Sequence, residues 1–265
     1  MQRDILIIGC GIFGAAIAWS LGRLGLGNRV LIVDRQTPVC GATSRAAGLV
    51  TQVRSDPALQ ALAGETLAAI EVLKSLFAED VGCHPVGALH VGPLAQQTAL
   101  ADMLAACTAA GIRGQWQDKA KVLAQSRWLD SEAFEIAVFY PDECYVDPYL
   151  LSSAYLRGAQ QMGAKLRLDT RVAHIQHLSG SVTGVALEDF TVLPARIVVN
   201  AAGAWSNLLS APLGLPLPMA PVRSQYWITE RSPEFSPRGP IVFMSDIRAY
   251  ARPEVGALLF GARDS

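Results

Sequence analysis

A short apolar run followed at once by three spaced glycines constrains the start of this chain more tightly than anything else in it. Ile5-Leu6-Ile7-Ile8 enters Gly9-Cys10-Gly11-Ile12-Phe13-Gly14 and continues through Ala18, Leu21 and Gly25. A second apolar run, Val30-Leu31-Ile32-Val33, then ends on Asp34. The order predicts strand, glycine turn, helix, strand and acid, with the acid at the expected interval of about 20 residues, which is how a dinucleotide is gripped. Gly9 lets the chain turn sharply out of the strand. Gly11 leaves room for a pyrophosphate at the helix N-terminus, where free N–H groups and the helix dipole favour negative charge. Gly14 lets the helix lie close on the sheet, with Ala18 on the same face. Asp34 is placed to accept hydrogen bonds from two ribose hydroxyls and would repel a 2′-phosphate.

The nearly uncharged stretch from Ile5 to Leu21 also has to be weighed as a secretory signal or membrane anchor. It falls short of the roughly 20 apolar residues that a span requires. It starts after Asp4 rather than a basic cluster, and no A-x-A-like cleavage site follows it. A cytoplasmic protein without a transmembrane segment is therefore expected. Net charge is −1 and no lysine- or arginine-rich block occurs, so nothing draws the chain to nucleic acid or anionic lipid. Cys10, Cys40, Cys83, Cys107 and Cys144 are odd in number and scattered, against a disulfide framework or a structural zinc site. The 265 residues can hold one domain or two. Hydrophobic residues make up 51% and charged residues only 17%, with a mean hydropathy of +0.28, so part of the surface is expected to be covered by something outside this chain, such as an oligomeric partner.

Leu59, Leu62, Leu67, Ile70, Leu73 and Leu76 or Phe77 recur at helical spacing between Pro57 and Phe77. Residues 86–91 read as a strand, 95–110 as an alanine-rich helix stopped by Gly111, and 137–140 as a short strand. Asp147-Pro148 predicts a helix start, with Asp147 as N-cap, Pro148 in the first turn and Gly163 as the stop. Strands are expected at 166–168, 172–175, 182–187 and 196–200, the last of the buried parallel type. It leads into a second small-residue turn, Ala201-Ala202-Gly203-Ala204-Trp205-Ser206. Beyond a proline-dense stretch, 226–229, 241–243 and 258–260 read as an antiparallel sheet. The organisation expected is discontinuous: a nucleotide domain from 1–80 and 145–215, and a mainly antiparallel domain from 81–144 and 216–265.

Four features together resemble the D-amino-acid oxidase and glycine/sarcosine oxidase family of FAD-dependent oxidoreductases. They are the fingerprint from Gly9 through Gly25 to Asp34; the loop Gly41-Ala42-Thr43-Ser44-Arg45-Ala46-Ala47-Gly48-Leu49; the turn Val199-Asn200-Ala201-Ala202-Gly203-Ala204-Trp205-Ser206; and Pro221-Val222-Arg223-Ser224-Gln225 with Tyr250-Ala251-Arg252-Pro253 and Gly256-Ala257-Leu258-Leu259-Phe260-Gly261. They cover essentially the whole chain in order. The resemblance implies an α/β class: a Rossmann-like FAD-binding domain with an inserted, mainly antiparallel β substrate domain. It also implies FAD contacts at Gly9, Gly11, Gly14, Asp34, Arg35, Thr43, Ser44, Arg45, Ala47, Val172, Ala202, Gly203 and Trp205. In the dimethylglycine dehydrogenase branch a histidine in the second motif carries the flavin covalently. Arg45 stands at the matching position, which implies non-covalent FAD. Family members continue beyond the strand at Leu258–Phe260 with a segment that roofs the flavin. A sequence stopping at Ser265 resembles a truncated copy, expected to be marginally stable with its flavin cleft open.

The activity implied is oxidation of the C–N bond of a small amino acid or a secondary or tertiary amine, with oxygen or another molecule as electron acceptor. The cofactor carries the hard step, so no acid–base pair is demanded. A small amino acid does need a cation for its carboxylate, best supplied by the arginine fork. Arg252 beside Tyr250 is the first candidate for that pocket and Arg223 the next; Arg45 is expected near the flavin or in solvent, and Arg54 is a further cation. His84, His90, His174 and His177 are too dispersed for a metal site, and His90 is expected to be a hydrogen-bonded sheet histidine. Asp142-Glu143 and Glu188-Asp189 read as turn and surface acids. Two other functions remain open at this level. One is an NAD-dependent dehydrogenase, disfavoured by the second turn; the other is a flavin-binding remnant or subunit with no turnover of its own.

Overall fold

The computed structural model describes residues 4–77 and 81–262, and these divide into two compact units. The first comprises Met1–Ala46, Leu73–Gly82 and Asp147–Val222. Its centre is a four-stranded parallel sheet in the spatial order Ile197–Asn200, Ile5–Ile8, Val30–Val33, Lys165–Arg167. The strand at 197–200 lies directly beside the fingerprint strand, with Ile8 opposite Asn200. The expectation that it is buried does not hold: it is the sheet's edge among the described residues, and Ile197 is 50% exposed.

Helix Ile12–Arg23 follows the glycine turn and packs on helix Pro148–Gln161 through an edge-to-face contact between Trp19 and Tyr155, ring centroids 5.2 Å apart. Gly158 makes that approach possible, since a Cβ there would stand 2.7 Å from the Trp19 ring. Asp147 caps the second helix as its spacing predicts, its Oδ1 accepting from the Tyr149 N–H at 2.8 Å and the Leu150 N–H at 3.0 Å. A small antiparallel sheet, Val172–Leu178, Ser181–Leu187 and Val192–Pro194, supplies Ile175, Val185 and Leu187 to a core shared with Leu6, Ile8 and Val33. Its third strand was not apparent from the sequence.

The second unit comprises Ala47–Val72, Cys83–Val146 and Arg223–Ser265. Residues 47–72 lie here rather than with the first unit, because Leu49 and Val50 pair antiparallel with Tyr145 and Cys144. Helix Pro57–Phe77, with the bounds its periodicity predicts, runs from this unit into the first. Seven strands form a mixed sheet in the order Tyr226–Ile228, Ala257–Ala262, Ala249–Glu254, Ile241–Met244, Ala88–Gly92, Ile136–Tyr140, Gln115–Trp116. Every neighbouring pair is antiparallel except Ile241–Met244 with Ala88–Gly92. Helix Gln97–Ala109 lays Leu100 and Cys107 on Val138 and Tyr140, while helix Lys119–Gln125, unforeseen from its sequence, lays Val122 on Leu89, Val91 and Val242.

Two polar side chains of this unit differ from expectation. Glu143 is not a surface acid: it is 1% exposed, and its Oε1 accepts the Gln52 N–H at 2.9 Å, so burial pushes its carboxyl above the usual range. Asp142, its neighbour, remains outside and pairs with Arg113. His90 lies between the rings of Tyr140 and Phe243, at 5.2 and 4.7 Å, and its Nε2 has no hydrogen-bond partner among the described residues. Burial lowers its pKa from 6.5 to about 4. A histidine kept neutral in the fold but free to protonate once unfolded supports stability above pH 6.5 and withdraws that support as pH falls toward 4. The expected loss reaches at most about 3 kcal/mol. Thermal unfolding followed from pH 7 to 4 should show this slope in the native chain and a shallower one in His90→Phe; parallel profiles would refute it.

Candidate cofactor site

The fingerprint glycines each answer a different steric demand. Gly9 has φ +104°, and a Cβ there would stand 2.4 Å from the Ala201 carbonyl oxygen. The first and second small-residue turns therefore abut, joined also by the Ala201 N–H donating to the Ile8 carbonyl at 2.9 Å. Gly14 is tighter: an added Cβ would approach the Gly9 carbonyl oxygen to 1.9 Å. Gly11 has an ordinary extended backbone, φ −78° and ψ −173°, and the nearest atom to a Cβ there is the Thr43 hydroxyl oxygen at 3.1 Å. Space, not backbone conformation, is what Gly11 supplies.

Gly11 caps helix Ile12–Arg23 with no side chain, and the first turn carries no acid. The Ile12 N–H donates to Thr43 Oγ1 at 3.1 Å, and the first intrahelical bond is Ala15 N–H to the Gly11 carbonyl at 3.0 Å. The N–H groups of Phe13 and Gly14 have no acceptor among the described residues. A helix start with unpaired donors and no acid in its first turn is a place for phosphate oxygens. Cys10 between the glycines is fully buried, and burial beside Asp34 pushes its thiol up to about 12, so it stays neutral and unreactive.

Asp34 has a structural duty that its position in the motif did not reveal. Its Oδ2 accepts the Cys10 N–H at 2.7 Å and its Oδ1 accepts the Gln36 N–H at 3.0 Å. Each carboxylate oxygen keeps a further lone pair for a hydroxyl. Beside it, the Arg35 guanidinium lies 3.9 Å over the Trp205 ring, which is 45% exposed. Trp205 is thus a surface platform under a cation.

Arg45 turns back on its own loop, its Nη1 donating to the carbonyls of Cys40 at 2.6 Å and Gly41 at 2.8 Å; Ser44 Oγ also donates to Gly41, at 3.3 Å. Ala202 and Gly203 form the second turn, Gly203 at φ +58°. That turn is pinned by Asn200, which the sequence placed in the motif without a role of its own: its Nδ2 donates to the Ser206 carbonyl at 2.8 Å and its Oδ1 accepts the Ala202 N–H at 3.3 Å. An asparagine ending a strand before three small residues is the signal that would have found it. Val172 begins its strand half-buried against the parallel-sheet core. The structure thus gathers Gly9, Gly11, Gly14, Asp34 and Thr43 around one helix end, with Ala202 next to Gly9. The donors, the room at Gly11 and the acid fit an adenine dinucleotide.

In the second unit, Tyr250 and Arg252 share one face of strand Ala249–Glu254. The Tyr250 hydroxyl lies over Gly261, where a Cβ would come within 2.6 Å of it. Arg252 is 6% exposed, and its guanidinium already has partners: Nε donates to the Ala47 carbonyl at 2.7 Å, and Nη1 donates to the Pro253 carbonyl at 2.8 Å and to Glu254 Oε2 at 2.6 Å. Arg223 is exposed, with no partner among the described residues. The described residues hold no group of three or more side chains able to bind a metal ion, and none of their helices is long and apolar enough to cross a membrane.

A family profile described as FAD dependent oxidoreductase matches residues 4–265. Human mitochondrial dimethylglycine dehydrogenase is 25% identical over 270 residues, covering 100% of this chain and 31% of that protein. The 4-methylaminobutanoate oxidase (formaldehyde-forming) of Paenarthrobacter nicotinovorans is 29% identical over 265 residues, 97% of this chain and 31% of that one. The chain thus spans about a third of the length of these relatives. The crystal structure of glycine oxidase from Geobacillus kaustophilus superposes with a TM-score of 0.83 at 27% identity, covering 100% of this chain and 72% of that one.

Proposed function

The chain belongs to the FAD-dependent oxidoreductase family, and on that premise we propose that it serves in oxidising the C–N bond of a small amino acid or a secondary or tertiary amine. The observation that carries the reading is the cradle at the start of helix Ile12–Arg23, with unpaired N–H groups, no side chain at Gly11 and the Asp34 carboxylate beside it. Three relatives whose names state a small amine or amino acid, dimethylglycine, 4-methylaminobutanoate and glycine, support the substrate class.

Flavin, when bound, would supply the two-electron oxidation chemistry for the C–N bond. The protein's own residues hold and orient. In this reading Gly11 and the helix N-terminus receive the pyrophosphate, Asp34 the ribose hydroxyls, and Arg35 with Trp205 flanks the nucleoside. Thr43, Ser44, Arg45 and Ala47 contact the cofactor from the second motif, Ala202 and Gly203 from the second turn, and Val172 from its strand. Arg45, a side chain that forms no stable bond to flavin carbon, leaves the cofactor without a covalent attachment at this position. Arg252 is paired with Glu254, so the carboxylate of an amino-acid substrate falls to Arg223, with Tyr250 as a further candidate for the substrate pocket; oxygen or another molecule is the electron acceptor.

Arg223→Ala should therefore raise KM for an amino-acid substrate roughly tenfold or more, as loss of a charge-assisted contact does. Flavin content should not change. An unchanged KM would remove Arg223 from the site. The reading as a whole is tested on the purified chain. A flavin absorbance spectrum released by acid precipitation, together with turnover of small amines, is the expected result. Bound flavin without turnover would favour a flavin-binding part of a larger assembly, and failure to take up FAD would overturn the reading.

A further inference from the structure

We propose that Arg252 is a positioning residue, a clamp that fixes the course of residues 47–50 and through them the FAD-contacting loop, and is not a substrate ligand. The inference rests on the reading above only in taking Ala47 as a cofactor contact. The clamp itself is a matter of geometry within the second unit. Each of four consecutive residues has a partner. Arg252 Nε donates to the Ala47 carbonyl at 2.7 Å, the Val146 N–H donates to the Gly48 carbonyl at 2.8 Å, and Leu49 and Val50 continue as a strand paired with Tyr145 and Cys144. Gly48, at φ +72°, is the swivel between the loop and that strand. Without the guanidinium, the chain on the loop side of this swivel loses the hydrogen bond that holds it at Ala47.

The guanidinium is itself locked in place. Its Cζ lies 4.5 Å from the centroid of the Tyr145 ring, and Tyr145 stacks in turn on His84 at 4.5 Å with an 18° tilt. Leu49, Tyr145 and His84 are opposite one another across the three-stranded sheet, so the stack runs along one rung of it. Glu254, two residues on, fixes Nη1 at 2.6 Å and cancels the charge. A substrate carboxylate arriving at this arginine would meet a paired cation and the repulsion of Glu254. Arginine alone among the cations can serve a carbonyl, a carboxylate and an aromatic face with one rigid group.

The test compares the native chain with Arg252→Met, Arg252→Lys and Glu254→Gln. It reads amide hydrogen exchange at residues 48–50, the Kd for FAD and the shape of the bound flavin's visible bands. Arg252→Met should speed exchange at 48–50 and weaken FAD roughly tenfold, in the range for losing a hydrogen bond from a charged donor. It should also alter the flavin bands. Arg252→Lys should recover part of the affinity by restoring one donor. Glu254→Gln, a milder change for use if Arg252→Met does not fold, should give the same effects at smaller size. Unchanged exchange in these variants overturns the clamp. Faster exchange with unchanged FAD affinity overturns its role toward the cofactor. A KM effect confined to carboxylate-bearing amines, with FAD affinity intact, makes Arg252 a substrate ligand and overturns the proposal. If the native chain takes up no FAD the functional reading fails, while the exchange data still decide whether the clamp exists.

Discussion

Gly14→Ala is expected to destabilise the chain by several kcal/mol and to abolish FAD binding. The added methyl would sit 1.9 Å from the Gly9 carbonyl oxygen and 3.0 Å from its carbon, both backbone atoms. Gly9 cannot retreat, because its own far side is closed by the Ala201 carbonyl. The helix must therefore lift from the sheet and disturb the Trp19–Tyr155 contact on its other side. Overpacking of this kind typically costs about 1–3 kcal/mol and rises where backbone is the obstacle, a large part of a usual stability of roughly 5–15 kcal/mol. Thermal unfolding and FAD titration check it. A variant with native melting temperature and native FAD affinity would mean that helix and sheet are not in this close contact.

Gly11→Leu should have the opposite profile: near-native stability and an FAD affinity lowered at least about a hundredfold. At φ −78° any residue is comfortable, and the atom that a new Cβ would meet is the Thr43 hydroxyl oxygen at 3.1 Å. The stability cost is that of a poorer N-cap, about 1 kcal/mol or less. Yet the leucine would project at the helix N-terminus, in the space where phosphate oxygens would meet the free N–H groups. Paired measurements on the two variants separate a glycine needed by the fold from a glycine needed by the ligand. Equal FAD affinity for Gly11→Leu and native chain would place the pyrophosphate elsewhere.

Much of the fold was legible where its signals are local. The glycine spacing, the Asp147-Pro148 cap and the heptad-like leucines of Pro57–Phe77 each declare an element within a few residues, and all three elements are present. What escaped was set by distant partners. Glu143 looks like a turn acid until Gln52, 91 residues earlier, is brought against it. Arg252 looks like a free cation until Ala47, 205 residues away, meets its Nε. Ile197-Val198-Val199 has the composition of a central strand, yet lies at an edge, and composition does not tell rank within a sheet. Lys119–Gln125 has seven residues and a weak apolar pattern, too little for periodicity to declare a helix.

The abutment of Gly9 against Ala201 has a consequence for how the chain is made. The first strand leaves the ribosome early, but its neighbour Ile197–Asn200 and the wall of its turn are encoded much later. At roughly 5–20 residues per second, Ile5–Ile8 waits on the order of ten seconds or more with one edge unpaired. Four consecutive apolar residues with an open edge are a template for intermolecular pairing. The half of the cradle that forms first is thus the half most in need of a chaperone, and slower translation through the intervening segments would lengthen its exposure.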